Sequence, residues 1–130
     1  MALHSFALQT AIFTALDAAS ITDNPTIHDH VPADAAFPFI VVGDTTQLNI
    51  STYTSDLHEN TCTIHVWSTY RGFNQVKQIM QNIYTTLHDN DISITGATLI
   101  NLKQEFSQVF VENDGITRHG VMRFRAVTAD

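Results

Sequence analysis

Residues 98–128 read TLINLKQEFSQVFVENDGITRHGVMRFRAVT. Asn113-Asp114-Gly115 is a strong hairpin turn, because Asn and Gly tolerate positive φ. Thr98 to Glu112 is a long β stretch with a bulge near Gln104 or Glu105, and the return strand runs from about Ile116 to Thr128. On the return strand Met122, Phe124 and Ala126 share one face, while Val121, Arg123, Arg125 and Val127 share the other. An antiparallel pair this long, apolar on one side only, needs a layer to cover it.

The stretch just upstream supplies that layer. In GFNQVKQIMQNIYTTLHD, residues 72–89, Phe73, Val76, Met80, Ile83 and Leu87 recur at spacings of three and four, with Ile79 and Tyr84 widening the stripe. This predicts an amphipathic helix that stops at Asp89-Asn90. A first helix is expected over about Leu3 to Ala19, with Phe6, Phe13 and Leu16 marking its stripe beside Ala7, Ile12 and Ala15. Between the helices, Glu59 to Trp67 alternates, placing Cys62, Ile64 and Val66 on one face and Thr61, Thr63, His65 and Trp67 on the other. Phe37 to Gly43 is a second strand, with Pro38 marking a sheet edge or a strand end. Thr26 to Val31 and Ile92 to Ile94 read as short strands. Asp44 to Leu57 is polar and Thr-rich, a long hairpin arm or a loop.

The order is α, several β, α, several β, joined mostly by hairpins. The expected fold is α+β: a largely antiparallel sheet with two main helices packed on one face. The other face carries Thr, His, Arg and Trp, and either stays exposed or meets a partner chain.

The 130 residues suit one domain spanning residues 1–130, long enough to bury a real core. Six basic against thirteen acidic residues give a net charge of -7, which argues against a protein that grips a phosphate backbone by charge. A single Cys excludes a disulfide framework and a four-Cys zinc site within one chain. No apolar run reaches the roughly 18 residues of a membrane span. The opening MALHSFALQTAIFTALDAA lacks the basic start of a signal peptide. The expectation is a protein of a reducing compartment with no membrane contact.

Chemistry-bearing groups are sparse. Cys62 and His65 are an odd number of residues apart, so on a strand they face opposite ways and cannot form a nucleophile–base dyad. His28-Asp29-His30 with Asp34 has the right ligand types for a metal but lacks a completing Cys or third His, so a solvated loop is the expected reading. No phosphate-binding glycine loop, nucleophile elbow or zinc-protease motif occurs. Neither catalysis, a cofactor nor a metal is expected. Arg118, Arg123 and Arg125 lie on the last strand, either in ordinary cross-strand pairs or against the acidic surface of a neighbouring subunit. Trp67 caps the core or anchors an interface, and Tyr53 and Tyr70 sit in polar surroundings that suit contacts.

Four stretches together resemble a known family: FPFIVVGD (37–44), HENTCTIHVWSTYRG (58–72), IYTTLHD (83–89) and DGITRHGVMRFRA (114–126). The resemblance is to the small tail-terminator, or tail-completion, proteins of long-tailed phages and gene transfer agents, and it spans residues 3 to 127. Relatives are often more basic after Trp67, where this chain has only Arg71 and Lys77. The resemblance implies a structural virion protein, assembled in the host cytoplasm. It implies a ring, usually of six copies, on the head-proximal end of the tail tube. Such a ring ends tube polymerisation and joins the tail to the head connector. The implied partners are further copies of the chain, the tail tube protein and the connector (stopper) protein, with DNA only passing through the lumen. The candidate contacts are Asp44, Tyr53, Trp67, Tyr70, Arg71, Arg118, Arg123 and Arg125. The rival readings are another neck subunit, a stopper or adaptor, and a small cytosolic binding domain.

Overall fold

The computed structural model describes residues 3–129. The chain runs α1 (Ser5–Ala18), β1 (Thr26–His28), β2 (Phe39–Asn49), β3 (Leu57–Ser68), α2 (Asn74–Leu87), β4 (Thr98–Val111) and β5 (Arg118–Ala129). The strands form one sheet in the order β1-β2-β3-β5-β4. All neighbours are antiparallel except β1 and β2. The fold is α+β, as the patterning predicts.

The β4–β5 hairpin turns where the sequence places it. Glu112 accepts from the Gly115 amide, and the Asp114 carboxylate accepts from the amides of Ile116 and Thr117. The ladder slips between Gln104 and Phe106, where the bulge is expected. The strand β5 inserts between β3 and β4, so α2 crosses over it to join two parallel but non-adjacent strands.

Helix α2 buries Val76, Ile79, Met80, Ile83 and Leu87. The side-chain amide of Asn90 donates to the carbonyls of Thr85 and Thr86 at the helix end, and Asp89 takes a left-handed φ of 57°. Helix α2 packs closely on the sheet over Gly120, where an added Cβ would lie 2.5 Å from Met80 Sδ and 3.1 Å from Val76 Cγ2. Together α1 and α2 cover one sheet face, and a single cluster joins Leu8, Ile12 and Leu16 of α1 to Ile64, Val66, Met122 and Phe124.

Three expectations are corrected. The inward stripe of α1 is Leu8, Ile12 and Leu16, at four-residue spacing, whereas Phe6 is 80% exposed and Phe13 lies at the margin. The helix has apolar residues all round and one charge, Asp17, so its phase is not readable from hydrophobicity. The second correction is Ile92 to Ile94, which forms no strand; Ile92 and Ile94 pack against the core from irregular chain. The third concerns Phe73 and Tyr84, which lie at the edge of the α2 contact rather than in it. The stretch from Asp44 resolves into an arm: β2 continues to Asn49, and only residues 50–56 form the loop.

Candidate assembly surfaces

The sheet face opposite the helices is left uncovered by the chain's own helices. Its residues are set by register. Phe39, Trp67, His119 and Phe110 stand directly opposite one another on β2, β3, β5 and β4. Their rings form a rank across the sheet: Phe39 to Trp67 at 6.3 Å, Trp67 to His119 stacked at 3.7 Å, and His119 to Phe110 at 4.9 Å. The rank continues to His28 on β1, 5.9 Å from Phe39. His28 also pairs its Nε2 with the Thr26 hydroxyl at 3.0 Å. Among the described residues no group of three or more His, Cys, Asp or Glu is placed to hold a metal.

A polar relay runs beside the rank. His119 Nδ1 lies 2.8 Å from Glu112 Oε1, and His119 Nε2 lies 2.7 Å from His65 Nδ1. With Glu112 ionised, His119 donates from Nδ1 and its Nε2 accepts from His65. A proton added at that junction would set two N–H groups against each other. Burial chiefly, then the neighbouring His119, lowers the His65 pKa below its ordinary 6.5, with Asp44 opposing. Asp44 sits at the β2 bulge, where the His65 ring lies 3.1 Å from the position of a Cβ on Gly43.

At this end of the sheet a groove of about 650 Å³ opens. Phe39, Val41, His65 and Trp67 form its floor. Val31 and Phe37 line one side, and the β4–β5 turn with Glu112 and Asp114 lines the other. Bonds from Thr117 first, then from the Ile116 amide, hold the Asp114 carboxyl below its usual range.

The middle of the open face is charged but internally matched. Arg123 Nε donates to Glu105 at 2.6 Å and lies over the Phe106 ring, and Arg125 donates to Glu59 at 2.9 Å. The Arg125 bond lowers the Glu59 pKa. Arg118, by contrast, folds back onto the Ile116 carbonyl. Its Nε is buried without a partner among the described residues.

The remaining candidates lie elsewhere. Tyr53 stands at the tip of the β2–β3 arm, wholly exposed at 105%. The tip itself is ordered by bonds from the Ile50 amide to the Leu57 carbonyl and from the Thr52 amide to the Ser55 carbonyl, both 2.9 Å. Tyr70 and Arg71 are exposed on the loop between β3 and α2. The eight candidates are therefore not one site: Trp67 belongs to the aromatic end, Asp44 to the β2 bulge, Arg123 and Arg125 to the middle, and Tyr53 to the far end. Sequence reading missed His119, Phe37, Phe39, Phe110 and Glu112. Their only signal is the parity of their positions, which becomes useful once β5 is known to pair with β3.

Cys62 is buried on the helix-covered face, where desolvation pushes its thiol up to about 12, and His65 points the other way. This geometry does not support a dyad.

The model of a protein family described as "Tail completion protein gp17" matches residues 7–129. A curated relative, the tail completion protein gp17 of Bacillus phage SPP1, is 28% identical over 93 residues, covering 71% of this chain and 68% of that protein. Among solved structures, a chain from the virion of a native gene transfer agent particle matches with a TM-score of 0.90 at 19% identity. That match covers 100% of both chains and establishes a shared fold.

Proposed function

This chain belongs to the tail completion protein gp17 family, a family of structural virion tail proteins, and from that premise we propose that it forms a ring at the head-proximal end of a phage-type tail tube. Six copies close the ring. One side halts tube polymerisation, and the other joins the tail to the head connector, so the partners are copies of the chain itself, the tail tube protein and the stopper. DNA only passes through.

The observation that carries this reading is the uncovered sheet face. A ring needs heterologous contacts, in which one patch meets a different patch next door. The open face offers an aromatic groove and a charged middle, and the arm offers a projecting tip. A chain of net charge -7 also suits a conduit: an acidic lumen repels DNA rather than clamping it. A cryo-EM map with a basic lumen would remove that part of the reading.

Deleting the gene from its particle and imaging the products by electron microscopy tests the whole. Tails of irregular, excessive length beside unjoined heads are the expected outcome. Tails of normal length left unattached would make the protein a connector, and normal particles would overturn the structural role.

A further inference from the structure

We propose that the arm of one copy docks into the aromatic groove of the next, with Tyr53 as the knob and the space between Phe37 and the β4–β5 turn as the hole. This inference rests on the ring reading and names the contact that would build it.

Three observations carry it. The first is position. The tip follows the last residue of β2, whereas the groove surrounds its first residue, Phe39, and the end of β3 at Trp67. Eleven residues of β2 separate them, about 35 Å at strand rise. A chain therefore cannot fill its own groove with its own tip. Copy-to-copy docking is head to tail, which either closes as a ring or continues as a filament.

The second is preorganisation. Residues 50–56 are tied by the Ile50–Leu57 and Thr52–Ser55 bonds, by Asn49 Oδ1 accepting from the Ser51 amide, and by Ser51 Oγ accepting from the Leu57 amide. This ordered loop holds a Tyr fully in solvent, flanked by small hydroxyl residues. A rigid, exposed Tyr with two side-chain torsions loses little entropy on binding and is a preferred interface anchor.

The third is chemistry. The groove is apolar on its floor, with carboxylates on one wall and, among the described residues, no Lys or Arg lining it. Those carboxylates are already engaged: Glu112 with His119, and Asp114 with its own turn. They leave lone pairs for a hydroxyl donor rather than an empty seat for a cation. Residues 50–55 carry no charge, and Asp56, the single charge of the loop, lies at its end beside β3, so the tip around Tyr53 brings no charge of its own to the contact.

Cysteine cross-linking tests the pairing, because the one native thiol, Cys62, is buried. Single variants Thr54→Cys and Asn113→Cys, placed beside the knob and on the groove rim, are mixed and treated with a short bismaleimide. Thr54→Cys mixed with Gln81→Cys, on the exposed side of α2, is the control. The expected result is a 54–113 product in about ten-fold excess over the 54–81 product, an excess lost when Tyr53→Ala is added to the Thr54→Cys chain. Equal yields, or a yield indifferent to Tyr53→Ala, overturn the pairing. Sedimentation of the untreated chain separates the two readings. A hexamer without the 54–113 preference overturns the pairing and leaves the ring. The preference in species that do not close overturns the ring and leaves the pairing.

Discussion

On β3, His58, Asn60, Cys62, Ile64, Val66 and Ser68 point beneath the helices and are buried, while Leu57, Glu59, Thr61, Thr63, His65 and Trp67 point to the open side and are half-buried. The same twelve residues thus serve two surfaces. The covered one is held by apolar area removed from water, and its centre, Cys62 to Val66, joins both helices to the sheet. The open one is held by cross-strand side-chain pairs: Trp67 on His119 and Thr61 against Thr46 directly across the ladder, and Glu59 with Arg125 on the diagonal. Such pairs fix side-chain positions while leaving polar and aromatic surface accessible. The contrast teaches that here folding is carried by one face and recognition is available to the other.

Phe124→Ala puts that contrast under the greatest load. Phe124 is buried at the centre of the covered face, and its truncation is expected to cost about 3–5 kcal/mol in urea unfolding. A cost below about 1 kcal/mol would mean that the helices do not carry the core. Gly120→Ala should come next, at about 1–3 kcal/mol, because the new methyl group meets Met80 and Val76 under α2. Pairing it with Met80→Ala should recover part of the loss, which a double-mutant cycle measures.

The open face should respond to pH instead. The folded-state pKa of His65 lies below 6.5, so the unfolded chain binds the proton more readily. Its contribution is complete above about pH 6.5 and is lost as the pH falls from there toward the lowered value. Melting temperature should therefore begin to drop below that point, and His65→Gln should flatten this part of the profile. Glu59, Asp89 and Asp114 have lowered pKa values and act in a separate window, their contributions fading as the pH falls through their folded values, below 4.5 for Glu59 and below 3.8 for the two Asp. A melting profile flat between neutral pH and about pH 5 would remove the His65 relay from the account.

The smallest effect on folding belongs to Arg123→Glu. The ion pair with Glu105 is exposed, so reversing the charge should change stability by less than about 1 kcal/mol. Its effect should fall on assembly, read as loss of rings or of joined particles at an unchanged melting temperature. Equal melting with normal assembly would return the middle of the open face to ordinary solvated surface.

Much of this was legible in local pattern. The spacing of Val76, Met80, Ile83 and Leu87 marks α2, Asn113-Asp114-Gly115 marks the last hairpin, and alternation from Glu59 to Trp67 separates the two faces of β3. The phase of α1 was not legible, because Phe6 and Phe13 are as apolar as Leu8 and Ile12, and only the packed sheet distinguishes them. Nor was the run Ile92–Ile94, whose β-branched residues reach the core without a strand partner.

The candidate surfaces divide in the same way. Sequence alone determined which residues share a side of each strand, since side-chain direction along a strand has a period of two. It also determined the excess of acid and the polar arm. Only the tertiary structure decided that β5 lies between β3 and β4, because that pairing joins residues fifty or more positions apart and leaves no local trace. From that order follow the rank of Phe39, Trp67, His119 and Phe110, the groove beside it, and the separation of groove from Tyr53 by the length of a strand. Strand alternation is a property of the backbone, whereas strand order is settled by which apolar faces the two helices can cover together.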